Sequence, residues 1–179
     1  MALFVIYGKP NSGKTSTCWM IYNLLEKAGH LLAFASVPSV VKPTFSEVLQ
    51  QIEDNATTHT TSKSPDFRAL FDYKGKKVVI LSAGDILGNT KINATNWQSN
   101  NVIDFANNMY WALNQHANHI ICCCHTIASP HSVKKYIIDN YPISIYRWYH
   151  KTEKSSAYDR MEEAQRIAIE VFTDIKENC

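Results

Sequence analysis

The stretch Gly8-Lys9-Pro10-Asn11-Ser12-Gly13-Lys14-Thr15 follows directly on the apolar run Leu3-Phe4-Val5-Ile6-Tyr7. A chain that merely reverses direction needs one or two turn residues, not two spaced glycines with a lysine behind the second. The stretch fits G-x-x-x-x-G-K-[ST] at every fixed position, with a strand pattern before it and a helical pattern after. Gly8 and Gly13 admit backbone angles that side chains resist, so that successive N–H groups can turn inward around phosphate oxygens. A helix starting near Lys14 adds the positive end of its dipole. In such a loop Lys14 reaches the β- and γ-phosphates and the Thr15 hydroxyl reaches Mg²⁺.

The rest of the chain alternates strand and helix. Cys18, Ile21, Tyr22, Leu25 and Ala28 share one helical face, and Gly29 stops that helix. Residues 31–35 form a second apolar run, and Ser46 can cap a short helix before the polar tract 57–64. Residues 66–72 and 77–82 flank Tyr73-Lys74-Gly75-Lys76 and read as a β-hairpin, its second strand apolar on both faces. After a polar loop over 88–101, Val102, Ala106, Met109, Tyr110, Leu113 and Ala117 fit a helix, and 119–124 a buried strand. Ser129-Pro130 opens a further helix that Pro142 ends; 143–149 is a last strand, and Ser155 or Ser156 caps a final helix. Its stripe is Met161, Ala164, Ala168, Val171, Phe172 and Ile175. This order predicts an α/β fold, a three-layer αβα sandwich whose mainly parallel sheet carries one antiparallel hairpin strand, with residues 1–179 as a single domain.

Through Gly8–Thr15 and the strand–loop–helix around them, the sequence resembles the P-loop NTPase superfamily. The resemblance implies a P-loop NTPase fold, a nucleoside triphosphate with Mg²⁺, and a site outside the carboxyl ends of the strands. Gly8, Asn11, Ser12, Gly13, Lys14, Thr15 and Ser16 are then the candidates for nucleotide contacts, and Lys14 also for catalysis. Such proteins also carry an acid at the end of a buried strand. After Val78-Val79-Ile80-Leu81 this chain has Ser82, with Asp85 three residues later in Ser82-Ala83-Gly84-Asp85. Asp85 is the candidate metal and catalytic acid if Gly84 turns it back toward Thr15; otherwise it caps a helix or lies in a solvated turn. Ser82 could add a hydroxyl. His125 and Thr126, ending their strand, either meet phosphate or water or are satisfied by backbone. Arg147 is a candidate ligand contact beside Tyr146, Trp148 and Tyr149, where alternation puts Arg147 and Tyr149 on one face and the other two opposite. Lys151, Lys154 and Arg160 read as a solvated helix entry.

Asp85-Ile86-Leu87-Gly88 matches D-x-x-G, but no N-K-x-D guanine-reading motif follows, which favours ATP. A net charge of +2 gives no argument for nucleic acid, and no apolar run approaches the ~20 residues of a membrane span. Cys122, Cys123 and Cys124 are consecutive in a strand, so they cannot converge on one metal; a buried strand in a reducing cytoplasm is the expectation. Three activities remain: an ATPase coupled to a partner, a small-molecule or nucleotide kinase, and a nucleotide-gated module with little turnover. The kinase has an irregular segment over 37–64 for an acceptor, but no D-G-x-P-R signature and only Arg68, Arg147, Arg160 and Arg166 to neutralise charge. The phosphoryl acceptor or protein partner is not specified by any motif.

Overall fold

The computed structural model describes residues 1–10, 12–37, 66–84, 87, 104–126, 131–152 and 156–179. In chain order the elements are β1 (Ala2–Gly8), α1 (Lys14–Ala28), β2 (His30–Val37), β3 (Asp66–Tyr73), β4 (Lys76–Leu81), α2 (Phe105–Asn114), β5 (His119–His125), α3 (Val133–Asn140), β6 (Tyr146–Lys151) and α4 (Ala157–Glu177). One six-stranded sheet runs in the order β2-β3-β4-β5-β1-β6. β4, β5, β1 and β6 are parallel, and β3 alone runs against both of its neighbours. The mainly parallel sheet with one reversed hairpin strand is as the sequence predicts.

The hairpin has a physical cause at its turn. Lys74 and Gly75 both adopt positive φ, 53° and 76°, the conformation whose twist suits a two-residue β-hairpin loop. The Gly75 N–H donates to Asp72 Oδ1 at 3.0 Å, and Tyr73 pairs with Lys76 across the turn.

The central strands are apolar on both faces because helices cover both. Phe4, Ile6, Val78, Ile80, Ile121 and Cys123 pack with α1 and α4. Leu3, Val5, Val79, Leu81, Ile120, Cys122 and Cys124 pack with α2 and α3. The three consecutive cysteines therefore alternate between faces, and all five cysteines are free thiols. Under α1 lies an aromatic cluster: Trp19 meets Phe67 at a centroid distance of 4.0 Å, and Tyr22 meets Phe71 at 5.1 Å. Each such pair adds on the order of 1 kcal/mol beyond its burial, which pins α1 over β3.

Several element details differ from the sequence reading. The α2 stripe is Phe105, Ala106, Met109 and Ala112, while Tyr110 and Leu113 are exposed and Ala117 lies past the helix. Ser132 caps α3, its side chain accepting from Lys135 N; Ser129 and Pro130 lie outside the described residues. Residues Ile143–Ile145 form a 3₁₀ turn, because β6 pairs only with β1, whose first partner is Leu3 opposite Tyr146. Ala28, expected in the buried stripe, is exposed. Ser156, of the two serines proposed, caps α4 by accepting from Asp159 N. The expected cap at Ser46, the polar tract 57–64 and the loop 88–101 lie outside the described residues. Among the described residues, no helix is long and apolar enough to cross a membrane.

Candidate functional site

The chain order reverses at β1. From β1 it leaves through α1 to the far β2 edge, whereas β5 crosses over β1 through α3 to reach β6. Such a switch point opens a crevice at the carboxyl ends of the strands, where Gly8 ends β1 between His125 of β5 and Lys151 of β6. Gly8 is held too closely for any side chain: a Cβ would stand 2.5 Å from the Lys151 carbonyl oxygen and 2.6 Å from Ser12 Oγ. Ser12 N donates to Lys9 O at 3.3 Å, and Gly13 follows in the left-handed region at φ 88° and ψ 24°. Gly13 is the N-cap of α1 and makes no side-chain cap, and that turn contains no acidic residue. Its orphan donors and dipole are left for an anion.

Lys14 begins the helix, buried, and its ammonium is folded back onto its own loop, donating to Lys9 O at 2.9 Å and Gly8 O at 3.4 Å. The Ser12 side chain is buried, and its Oγ has no hydrogen-bond partner among the described residues. Thr15 and Ser16, half-buried, complete the first turn. Gly8, Ser12, Gly13, Lys14, Thr15 and Ser16 are thus brought together; Asn11 lies outside the described residues.

Among the described residues, one carboxylate reaches this turn, and sequence reasoning missed it. Asp66 heads β3; its Oδ1 accepts from Thr15 Oγ1 at 3.1 Å and from Ser82 Oγ at 3.2 Å. Ser82 is itself fixed, with its Oγ accepting from Phe67 N at 2.7 Å and its N–H donating to Phe67 O at 2.9 Å. The available signal was the hairpin: since β3 runs against β4, its first residue must lie where β4 ends. Beyond Ser82, Gly84 presses onto β5 so closely that a Cβ would be 2.0 Å from the Cys123 carbonyl oxygen. Asp85 lies outside the described residues.

Below the first turn, Cys18 Sγ and Cys123 Sγ are 3.3 Å apart, both fully buried. The hydrogen bond to Cys18 and burial together push the Cys123 thiol well above its ordinary range, so it stays neutral despite the nearby Lys14. Lys151 is not a solvated entry residue. Its side chain is fully buried, with Nζ 3.0 Å from Glu163 Oε2 and 3.0 Å from the Arg160 carbonyl. Glu163 also accepts from Thr152 N and Oγ1. Burial works against the Glu163 charge, but the hydrogen bonds from Thr152 and Lys151 outweigh it and hold the carboxyl below its usual value.

Arg147 is not brought to the loop. It pairs in register with Phe4, four residues before the strand ends at Gly8 and Lys151, and forms an ion pair of 3.0 Å with Asp174. Tyr149 hydrogen-bonds the same Asp174, as expected for two residues on one face. Trp148 packs edge-on against Tyr7 at 5.5 Å and Tyr146 at 5.4 Å on the opposite side. Lys134 sits 5.4 Å from the Tyr7 ring and donates to the Thr126 carbonyl at 3.0 Å. His125 stands in register beside Gly8.

Among the described residues, no group of three or more His, Cys, Asp or Glu gathers as metal ligands. The Thr15 and Ser82 hydroxyls meet the Asp66 carboxylate beside the first turn, and such oxygens are the donor type that hard divalent cations take. No family model matches this sequence, and no curated protein or solved structure matches it either.

Proposed function

We propose that this chain binds ATP with Mg²⁺ at the Gly8–Thr15 loop and hydrolyses or transfers the γ-phosphate, as P-loop NTPases do. The observation that carries the reading is the first turn of α1, opened by left-handed Gly13, with no side-chain cap and with buried Lys14 folded over it. Phosphate oxygens suit these groups in kind: they accept from first-turn N–H groups, and they can replace the Gly8 and Lys9 carbonyls as partners of the Lys14 ammonium. The Ser12 hydroxyl, buried at the same loop, is a further donor. The absence of a guanine-reading motif supports ATP over GTP.

Lys14→Ala removes the buried ammonium of the loop. Hydrogen bonds to charged groups contribute about 1.5–3 kcal/mol each, so affinity for a fluorescent ATP analogue is expected to fall about 10- to 150-fold. Undiminished affinity removes the reading. Phosphate or ADP release, measured with ATP alone and with a panel of nucleosides and nucleotides, then sorts the chemistry. Release without an acceptor means hydrolysis, release only with one acceptor means a kinase, and binding without release means a nucleotide-gated module.

A further inference from the structure

We propose that Asp66, acting with the Thr15 hydroxyl, supplies a carboxylate that holds the divalent cation of this site. The inference rests on the triphosphate reading above and names the metal-binding residues of that site.

Three observations converge on it. First, Thr15 Oγ1 and Asp66 Oδ1 stand 3.1 Å apart. Adjacent ligands of an octahedral Mg²⁺, each at about 2.0–2.1 Å, are separated by about 2.9 Å. The two oxygens are thus within about 0.2 Å of the spacing of neighbouring ligands. Second, the carboxylate is oriented from behind. Ser82 Oγ donates to the same Oδ1 at 3.2 Å, and is itself tied to the Phe67 backbone by the two bonds it shares with that residue. Such supporting partners set the aim and basicity of a metal ligand. Third, packing locks the spacing. Trp19 lies one helical turn after Thr15, and Phe67 directly follows Asp66; their rings pack, tilted by 35°, at 4.0 Å, fully buried. The hydroxyl and the carboxylate are therefore fixed by the same contact.

The test uses the full chain and Mn²⁺ as the probe, followed by electron paramagnetic resonance, with and without a non-hydrolysable ATP analogue. Asp66→Asn keeps an acceptor for Thr15 and Ser82 but removes the charge. Mn²⁺ affinity with nucleotide present is expected to fall about 10- to 100-fold, while nucleotide affinity in EDTA stays at the wild-type value. Asp85→Asn is measured alongside as the competing acid. Should Asp66→Asn unfold the chain, Ser82→Ala serves instead, with an expected loss of about tenfold. Unchanged Mn²⁺ affinity in the Asp66 variant, or in the Ser82 variant where that one replaces it, overturns the assignment, as does a loss confined to Asp85→Asn. A wild-type chain that binds Mn²⁺ through Asp66 but binds no nucleotide overturns the triphosphate reading and keeps the cation site. A chain that binds neither overturns both.

Discussion

Lys151 and Glu163 form an ion pair whose side chains are 0% and 8% exposed, at 3.0 Å. A pair this far from water contributes little net stability as a pair, yet removing one partner strands the other charge. Lys151→Met keeps the length of the stem, whose Cε lies 3.5 Å from where a Gly13 Cβ would be. It leaves the Glu163 carboxylate with only the Thr152 N–H and hydroxyl. The expected cost is about 3–5 kcal/mol, and at about 2–4 °C per kcal/mol for a chain of this size the melting temperature falls by about 6–20 °C. Glu163→Leu takes the carboxylate away from the buried ammonium, which keeps its bond to the Arg160 carbonyl, and should cost as much. The double variant removes both charges and leaves the Thr152 donors short of a partner, at about 1–3 kcal/mol. The cycle should therefore show a coupling of about 2 kcal/mol or more, read by urea denaturation at neutral pH. Acid provides a second reading. Because the folded carboxyl is held below its usual value, its contribution is complete above the unfolded pKa of about 4.3 and is lost as pH falls through the lower folded value. The wild type should then converge on Glu163→Gln in acid. Additive single losses of under 1 kcal/mol would show that water reaches the pair and would refute the reasoning.

Two further perturbations test the elements around the site. Gly84→Ala places a methyl 2.0 Å from the Cys123 carbonyl oxygen and 2.3 Å from its carbonyl carbon; backbone must move, at an expected cost of about 1–3 kcal/mol, and an unaltered thermal midpoint would show the approach is looser. His119 is held below its ordinary pKa by burial, by the amino terminus and by Lys76. As pH falls through about 6.5 the unfolded chain takes the proton first. Urea midpoints should therefore drop between pH 7.5 and 5.5 in the wild type and change less in His119→Phe.

Much of the fold was legible because it rests on local signals. A four-residue run buried on both faces, as in Leu3–Ile6, says parallel sheet with two covered faces. Lys74-Gly75 says two-residue hairpin. The same locality limits helix stripes: the expected stripe has Ala106 and Met109 right, and only the sheet beneath brings in Phe105 and leaves Tyr110 and Leu113 exposed. Lys151 was misread for a related reason. A lysine reads as solvated unless its carboxylate partner is known, and Glu163 lies twelve residues away on another element. Arg147 had the right composition for a nucleotide contact and the wrong place in its strand, a distinction that only the register to Phe4 reveals.

Asp66 is the instructive case, because half of its position could be counted and half could not. Strands that run with β1 present their last residues at the crevice, so acids are sought after strands and never before them. A reversed strand presents its first residue there instead. Counting back from the turn, Tyr73 opposite Lys76 puts Arg68 opposite Leu81, hence Phe67 beside Ser82 and Asp66 one step beyond. That much follows from a turn at the far end of the eight-residue strand. The other half is lateral: β5 and β4 lie between β1 and β3, a separation of about 14 Å at ordinary strand spacing. Thr15 bridges it only because α1 leans across the sheet onto Phe67 through Trp19. The carboxylate is therefore delivered along the sheet by the hairpin turn and across it by an aromatic contact. Neither device resembles an acid-bearing motif, and together they place one negative charge beside the hydroxyl that opens the helix.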